Sequence, residues 1–334
     1  MAFHDARVAR KNVRMMGADA ARAAAVLRAG GLVALPTETV YGLAADATNA
    51  AAVARIFEVK GRPANHPLIV HLASVDQLDD WAERIPDWTR LLATAYWPGP
   101  LTVIVPKQAH VLDDVTGGQN TVGLRVPAHA LTREVLQLFG TGAAAPSANR
   151  FGKVSPTTIE HVQADLGALL DERDYLLDGG PCLVGVESTI IDCTGDVPRL
   201  LRAGAVTVGM IEQTTGLDVL GTDGRIRASG TLASHYAPSA TVHIVDVADL
   251  ARFPSAGLIA DASIPTPAGM TRLLAAEDAG EYARGLYAAL RTSDEVGLDH
   301  VCAILPDASG LGAAVRDRLT RAAHQPPPSP ALPC

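Results

Sequence analysis

The chain has 334 residues, 48% hydrophobic and 19% charged, with a net charge of -8. That length suggests two domains and a sizeable core, in a soluble globular composition. The negative balance and the lack of a long basic run argue against a stable nucleic-acid complex, although a small cationic pocket for phosphate remains compatible with it.

The N-terminal stretch MAFHDARVARKNVRMM has charge but no apolar core, so it does not read as a signal peptide. No charge-free apolar run is long enough to span a membrane, and the expectation is a cytoplasmic protein. Cys182, Cys193, Cys302 and Cys334 form no CxxC pair and suggest neither a zinc site nor a disulfide framework. The first three read as buried thiols in a reducing compartment.

From the N-terminus, residues 17–30 predict an alanine-rich helix ended by glycine, and GLVALPT a strand stopped at Pro36. PTETVYGLAADA, Pro36 to Ala47, reads as a strand end and a turn. TNAAAVARIFEVKGR predicts a helix with Asn49 as cap and Gly61 as stop. PLIVHLAS is a strand, Asp76 to Trp88 mostly helix, and GPLTVIVPK and TVGLRVPAH two more strands. ALTREVLQLFG and TTIEHVQADLG predict helices. GAAAPSAN is a strand running into a turn, and DYLLDGG and STIIDCTG are strands. This mixed order predicts an α/β layer fold with a curved mixed sheet covered mainly by helices, not a simple doubly wound one.

Residues 216–240 are rich in glycine, serine and threonine without a period, as in a linker. Beyond them ATVHIVDV, SAGLIAD and DHVCAILP predict strands. The segments at 268–297 and 310–323 predict helices. The tail HQPPPSPALPC is proline-rich and reads as disordered.

Three stretches could carry chemistry. Lys60 and Arg62 stand two apart at a helix end, where they share no helix face unless the backbone turns at Gly61. They suit a polyphosphate, a mobile point charge beside a planar fork. They equally suit charges placed against a helix dipole. Ser147 and Asn149, between two prolines, suit a sugar, base or phosphate edge, or a turn that caps the next helix. Ser155 fits that capping role, with Pro156 as the first helical position. In LDGGPCLVGVESTIIDCTG, glycines expose amides beside Ser188 and Thr189, and Glu187 could be a metal ligand or a structural acceptor. There is no GxxxxGK[ST], GxSxG or HExxH, and His71 sits in an apolar run as a core histidine would.

Taken together and in order, PTETVYGLAADA, KGRPANHPLIVH, WPGPLTVIVP, VGLRVP, PSAN…SPT, DGGP…GVESTIID and LRAG are much more specific than any one of them. They resemble the YrdC-like family, in particular its two-domain threonylcarbamoyl-AMP synthases, over about residues 17–210. SHYAP and the last helix resemble the longer subfamily. The resemblance implies a YrdC-like catalytic domain over 17–212, a linker with SHYAP over 213–240, a Rossmann-like α/β domain over 241–323 and a tail over 324–334. It implies a nucleotidyltransferase that makes L-threonylcarbamoyladenylate from L-threonine, bicarbonate and ATP, with Mg2+ on the ATP. Pyrophosphate leaves, and the product passes to a separate machinery that modifies tRNA adenosine 37.

By the same resemblance, Lys60 and Arg62 clamp phosphate and carbamate. Ser147, Asn149, Ser188, Arg202 and the linker's Tyr236 contact the nucleotide. Thr37, Thr39, His71, Arg125 and Ser188 face the threonine, with Arg125 as the carboxylate partner. Tyr236 is expected to gate the site. No metal ligand is assigned. Phe151 departs from the small residue usual in the family, so the loop after Asn149 is where this chain differs most.

Beside a structural or regulatory protein with a degenerate fold, which the presence of Lys60, Arg62, Ser147 and Asn149 argues against, two further readings are weighed from sequence. One is an RNA-binding module, which would need a concave basic face. The other is carbamoyl transfer to a thiol, whose larger enzymes carry domains missing here.

Overall fold

The computed structural model describes residues 16–230 and 236–324. The signal-peptide reading of residues 1–15, the His235 of SHYAP and the tail beyond His324 lie outside the described residues. Two compact units divide the chain. The first runs to Phe151 and resumes at Ser155, and the second takes in the described residues from Tyr236 on together with Gly152–Val154.

The first unit is built on eleven strands, counted among the described residues. In chain order these are β1 (Met16–Gly17), β2 (Val33–Leu35), β3 (Gly42–Asp46), β4 (Ile69–His71), β5 (Leu101–Pro106), β6 (Thr121–Arg125), β7 (Ala143–Ala144), β8 (Tyr175–Leu177), β9 (Thr189–Asp192), β10 (Arg199–Arg202) and β11 (Leu220–Gly221). They hydrogen-bond in the order β1-β8-β2-β3-β7-β4-β6-β5-β9-β10-β11, with parallel and antiparallel pairs mixed. β4 and β6 lie parallel, with His71 beside Arg125 in register.

Helices form where local signals agree. Asp19 caps Ala20–Arg28 by accepting from the Arg22 amide at 3.0 Å. Asn49 caps Ala50–Lys60 by accepting from the Ala51 and Ala52 amides at 3.1 and 3.2 Å, a contact that typically contributes about 1 kcal/mol. Gly61 ends that helix with φ 63°, and the Arg62 amide donates back to the Phe57 carbonyl at 2.9 Å. A left-handed residue there costs glycine little, and it turns Arg62 back beside Lys60.

Several expectations need correction. Asp76–Trp88 is not one helix. A 3-10 turn at Val75–Gln77 and a short helix Leu78–Trp81 come first, and a separate helix Asp87–Tyr96 follows. The break falls at Arg84, with φ 49°, and at Pro86, which cannot donate an amide to a continuing helix. Ser155 is not a cap. Its hydroxyl donates to Glu187 Oε1 at 2.6 Å, and Thr158 caps the helix Ile159–Leu166 instead. PTETVYGLAADA is more than a turn, since its second half is β3, paired antiparallel with β2.

The stretch read as linker also carries structure, for β11 pairs with β10, and Ile226 and Ala228 pack against Ile104 and Ile190.

The second unit is a parallel sheet of β12 (Thr241–Ile244), β13 (Gly257–Asp261), β14 (Thr271–Ala276) and β15 (His300–Ala303), in the order β12-β15-β13-β14. Helices Ala279–Glu295 and Leu311–Ala323 accompany it. Leu258, Ile259, Ala260, Val301, Cys302 and Ala303 are buried, as the central strands of a parallel sheet require. The expected helix over 268–297 begins only at Ala279, where Asp278 accepts from the Glu281 amide at 2.8 Å. RLLAA lacks β-branched residues and reads as helix, but pairing with β13 makes it an edge strand.

Candidate active site

The cations converge through turns and strand ends. Lys60 is buried, and its ammonium donates to the carbonyls of Ser147, at 2.5 Å, and of Asn149. Burial, helped by the nearby Arg62 charge, holds its pKa well below the usual lysine value. Ser147 is partly exposed and bridges to Gly42, while Asn149 is buried and donates its amide to the Arg150 carbonyl at 2.8 Å.

Arg62 donates to the Pro67 carbonyl at 3.0 Å and to Ser229 Oγ at 3.4 Å. Arg202, at the end of β10, donates to the Ser229 carbonyl at 2.9 Å, to the Ser188 carbonyl at 3.0 Å and to Ser188 Oγ at 3.1 Å. Ser188 Oγ lies 2.8 Å from Thr102 Oγ1. Two guanidinium groups therefore meet at one serine, on neutral oxygens. Gly204, in LRAG, lets the chain pass β9, because a Cβ there would stand 2.3 Å from the Thr189 nitrogen. Phe151 lies under Arg62, 5.8 Å from its guanidinium carbon, and edge-on to His66 at 5.3 Å. Phe151 is thus a packing platform for the Arg62 guanidinium, worth about 0.5–1 kcal/mol.

The other cluster forms at the end of β2 and across β4 and β6. Thr37 Oγ1 donates to the Val40 carbonyl at 2.6 Å and accepts from the Thr39 and Val40 amides. Thr37 Oγ1 also lies 2.8 Å from Thr39 Oγ1. Thr39 accepts in turn from Arg125 Nη1 at 2.9 Å. Arg125 also donates from Nε to the Gly99 carbonyl at 3.2 Å and pairs with Glu38 at 2.6 Å. His71 Nδ1 is 3.2 Å from the Ile69 carbonyl, and burial together with Arg125 brings its pKa down to about 3, so the ring is neutral near pH 7.

All the expected residues but Tyr236 belong to the first unit. Tyr236 belongs to the second, buried with φ 63°. Its ring is stacked on Tyr287 at 5.6 Å with the Arg318 guanidinium 5.4 Å from its centroid. Sequence reasoning missed Glu38 and Ser229. Glu38 stood in plain view between two threonines, but Ser229 had no signal, being one serine in an aperiodic stretch.

A family model described as "Telomere recombination" (Sua5, YciO and YrdC) matches residues 25–204, more than half of the chain. The chain belongs to this family. A second model, described as the C-terminal domain of threonylcarbamoyl-AMP synthase, matches 206–324. The threonylcarbamoyl-AMP synthase of Pyrococcus abyssi is 41% identical over 90% of this chain and 92% of its own length, and that of Bacillus subtilis 39% over 91% and 92%. The crystal structure of P. abyssi Sua5 complexed with L-threonine aligns over 92% of this chain and 97% of that one, with a TM-score of 0.84 at 38% identity. A doubly substituted variant of P. abyssi Sua5 aligns over 91% of this chain and 92% of that one, with a TM-score of 0.83. The α/β fold and its smaller C-terminal α/β domain are those of this family. The protein is an enzyme, a nucleotidyltransferase whose activity is L-threonylcarbamoyladenylate synthesis for tRNA threonylcarbamoyladenosine formation.

Among the described residues no helix is long and apolar enough to cross a membrane, and no group of three or more His, Cys, Asp or Glu is placed to hold a metal.

Proposed function

We propose that the two clusters divide the reaction between them. Lys60, Arg62 and Arg202 neutralise the phosphates of ATP, and Ser147, Asn149 and Ser188 bind around them. Thr37, Thr39, His71, Arg125 and the Ser188 side take L-threonine. The observation that carries this reading is the meeting of Arg62 and Arg202 at Ser229. Two forks aimed at one small neutral group suit an anion with several oxygens.

The threonine amine adds to bicarbonate to give a carbamate, with loss of water. A carbamate oxygen then forms a bond to the α-phosphorus as the bond to pyrophosphate breaks. Nothing in this sequence needs a protein nucleophile, and burial pushes the Cys182 thiol up to about 12, which keeps it protonated. The protein's part is to position two substrates and to neutralise the charge that develops.

Magnesium enters as part of the ATP substrate, carried by its phosphates. Among the described residues, the groups at this end are ammonium, guanidinium, hydroxyl and amide, donors suited to the phosphates that carry the cation. The reading keeps Tyr236 as a gate that acts on turnover, a cytoplasmic location, and transfer of the product to a separate tRNA-modifying machinery without a stable nucleic-acid complex.

Purified protein given ATP, magnesium, bicarbonate and L-threonine is expected to release pyrophosphate and form the adenylate. Pyrophosphate release that does not depend on threonine would sink the reading.

A further inference from the structure

L-Threonine is a zwitterion, and the subsite proposed for it has a matching balance of charge. Arg125 is the cation, and Glu38 lies against it at 2.6 Å with both side chains almost wholly buried. Glu38 is held in turn by the Ala128 amide, which donates to Oε2 at 3.0 Å. Arg125 is fixed on its remaining sides by Thr39 and the Gly99 carbonyl. His71, its neighbour across the sheet, is neutral, and so is Cys182, which faces both charges. Arg125 and the titratable groups named around it thus sum to zero.

A buried guanidinium alone attracts any small anion, and bicarbonate and pyrophosphate both take part in this reaction. With a carboxylate at contact distance, an anion loses to Glu38 much of what it gains from Arg125. A molecule with an ammonium next to its carboxylate gains from both.

From this we infer that Glu38 is a positioning and specificity-determining residue, which fixes Arg125 and restricts the amino-acid subsite to molecules carrying both an ammonium and a carboxylate. The inference rests on the assignment of this cluster to threonine. It specifies a repulsive element as well as an attractive one, which discrimination between similar ligands requires.

The test is calorimetric titration of the full chain, without ATP, with L-threonine and with 3-hydroxybutyrate, the same skeleton without the amine. Wild type is expected to prefer threonine by about tenfold or more. In Glu38→Gln the preference collapses, threonine weakening by about tenfold while 3-hydroxybutyrate holds or tightens. Glu38→Asp retains the preference to within about threefold, and the KM for ATP stays within about twofold in both variants. A ratio unchanged in Glu38→Gln, or equal loss of both ligands, overturns the inference, because a merely structural role predicts one or the other.

If Glu38→Gln does not fold, wild type and Glu38→Asp decide. A wild-type 3-hydroxybutyrate affinity within about threefold of that for threonine contradicts the inference, and a clear preference kept in Glu38→Asp supports it. Failure of threonine to bind wild type removes the substrate reading itself, and the inference with it. Binding of threonine without the predicted discrimination removes only the role of Glu38.

Discussion

The two clusters proposed as the phosphate end and the amino-acid end of the site solve the problem of buried charge in opposite ways. At the phosphate end, Lys60, Arg62 and Arg202 spend hydrogen bonds on carbonyl and hydroxyl oxygens of Ser147, Asn149, Pro67, Ser188 and Ser229. At the amino-acid end, Arg125 has a carboxylate partner in Glu38. A buried cation hydrogen-bonded to neutral oxygens keeps its field available, and a ligand of opposite charge recovers desolvation cost on binding. The first arrangement suits a polyanion and the second a neutral zwitterion, as the proposed assignment requires. The difference between them is what a binding site for ATP beside one for an amino acid should show.

Breaking the phosphate end has the largest expected effect. Arg62→Ala should lower kcat/KM by roughly 10²–10³ while the melting temperature barely moves, because the role proposed for it is charge neutralisation. An unfolded variant would favour a structural role at the helix end.

The pH dependence of stability probes the amino-acid end. His71 titrates near 6.5 when unfolded and at about 3 in the folded protein. Its folded pKa is lowered, so the unfolded state binds more protons between these values. Its contribution falls as pH drops through that window, at about 1.4 kcal/mol per pH unit. Denaturant melts of His71→Gln should flatten this limb, and an unchanged slope would contradict the neutral, buried ring.

For Lys60 the same sign applies at alkaline pH. Its lowered folded pKa makes stability rise with pH between that value and 10.5, and bound phosphate should restore the proton. Calorimetry in buffers of different ionisation enthalpy, repeated as pH is raised through that lowered pKa, should show proton uptake that grows with pH when ATP binds.

Smaller effects sharpen the picture. Tyr236→Phe keeps the stacking on Tyr287 and tests the hydroxyl alone. About a threefold change in kcat is expected if the residue gates turnover, and unchanged kinetics would remove the gate. Phe151→Ser should raise the KM for ATP by about twofold to fivefold, the equivalent of a lost exposed cation–π contact.

What could be read in the sequence was local. The cap at Asn49, the stop at Gly61 and the doubling back that brings Arg62 beside Lys60 all lie within a few residues and obey local rules. The family motifs added the rest of the expected site. What could not be read depends on partners far along the chain. Arg202 and Arg62 meet Ser229, which is 27 and 167 positions away. β3 is alanine-rich, and it is a strand because β2 and β7 flank it. β14 has helical composition and an edge position in a parallel sheet. Glu38 was visible as a residue, but its meaning came from Arg125, far along the chain, which only the β4–β6 pairing and the turn after β2 bring near.

The division of labour is tested most directly by titrating Arg62→Ala with ATP and, separately, with L-threonine. The account predicts that ATP binding weakens by at least about tenfold while threonine binding stays within about threefold of wild type. Equal loss of both ligands would contradict two electrostatically distinct ends.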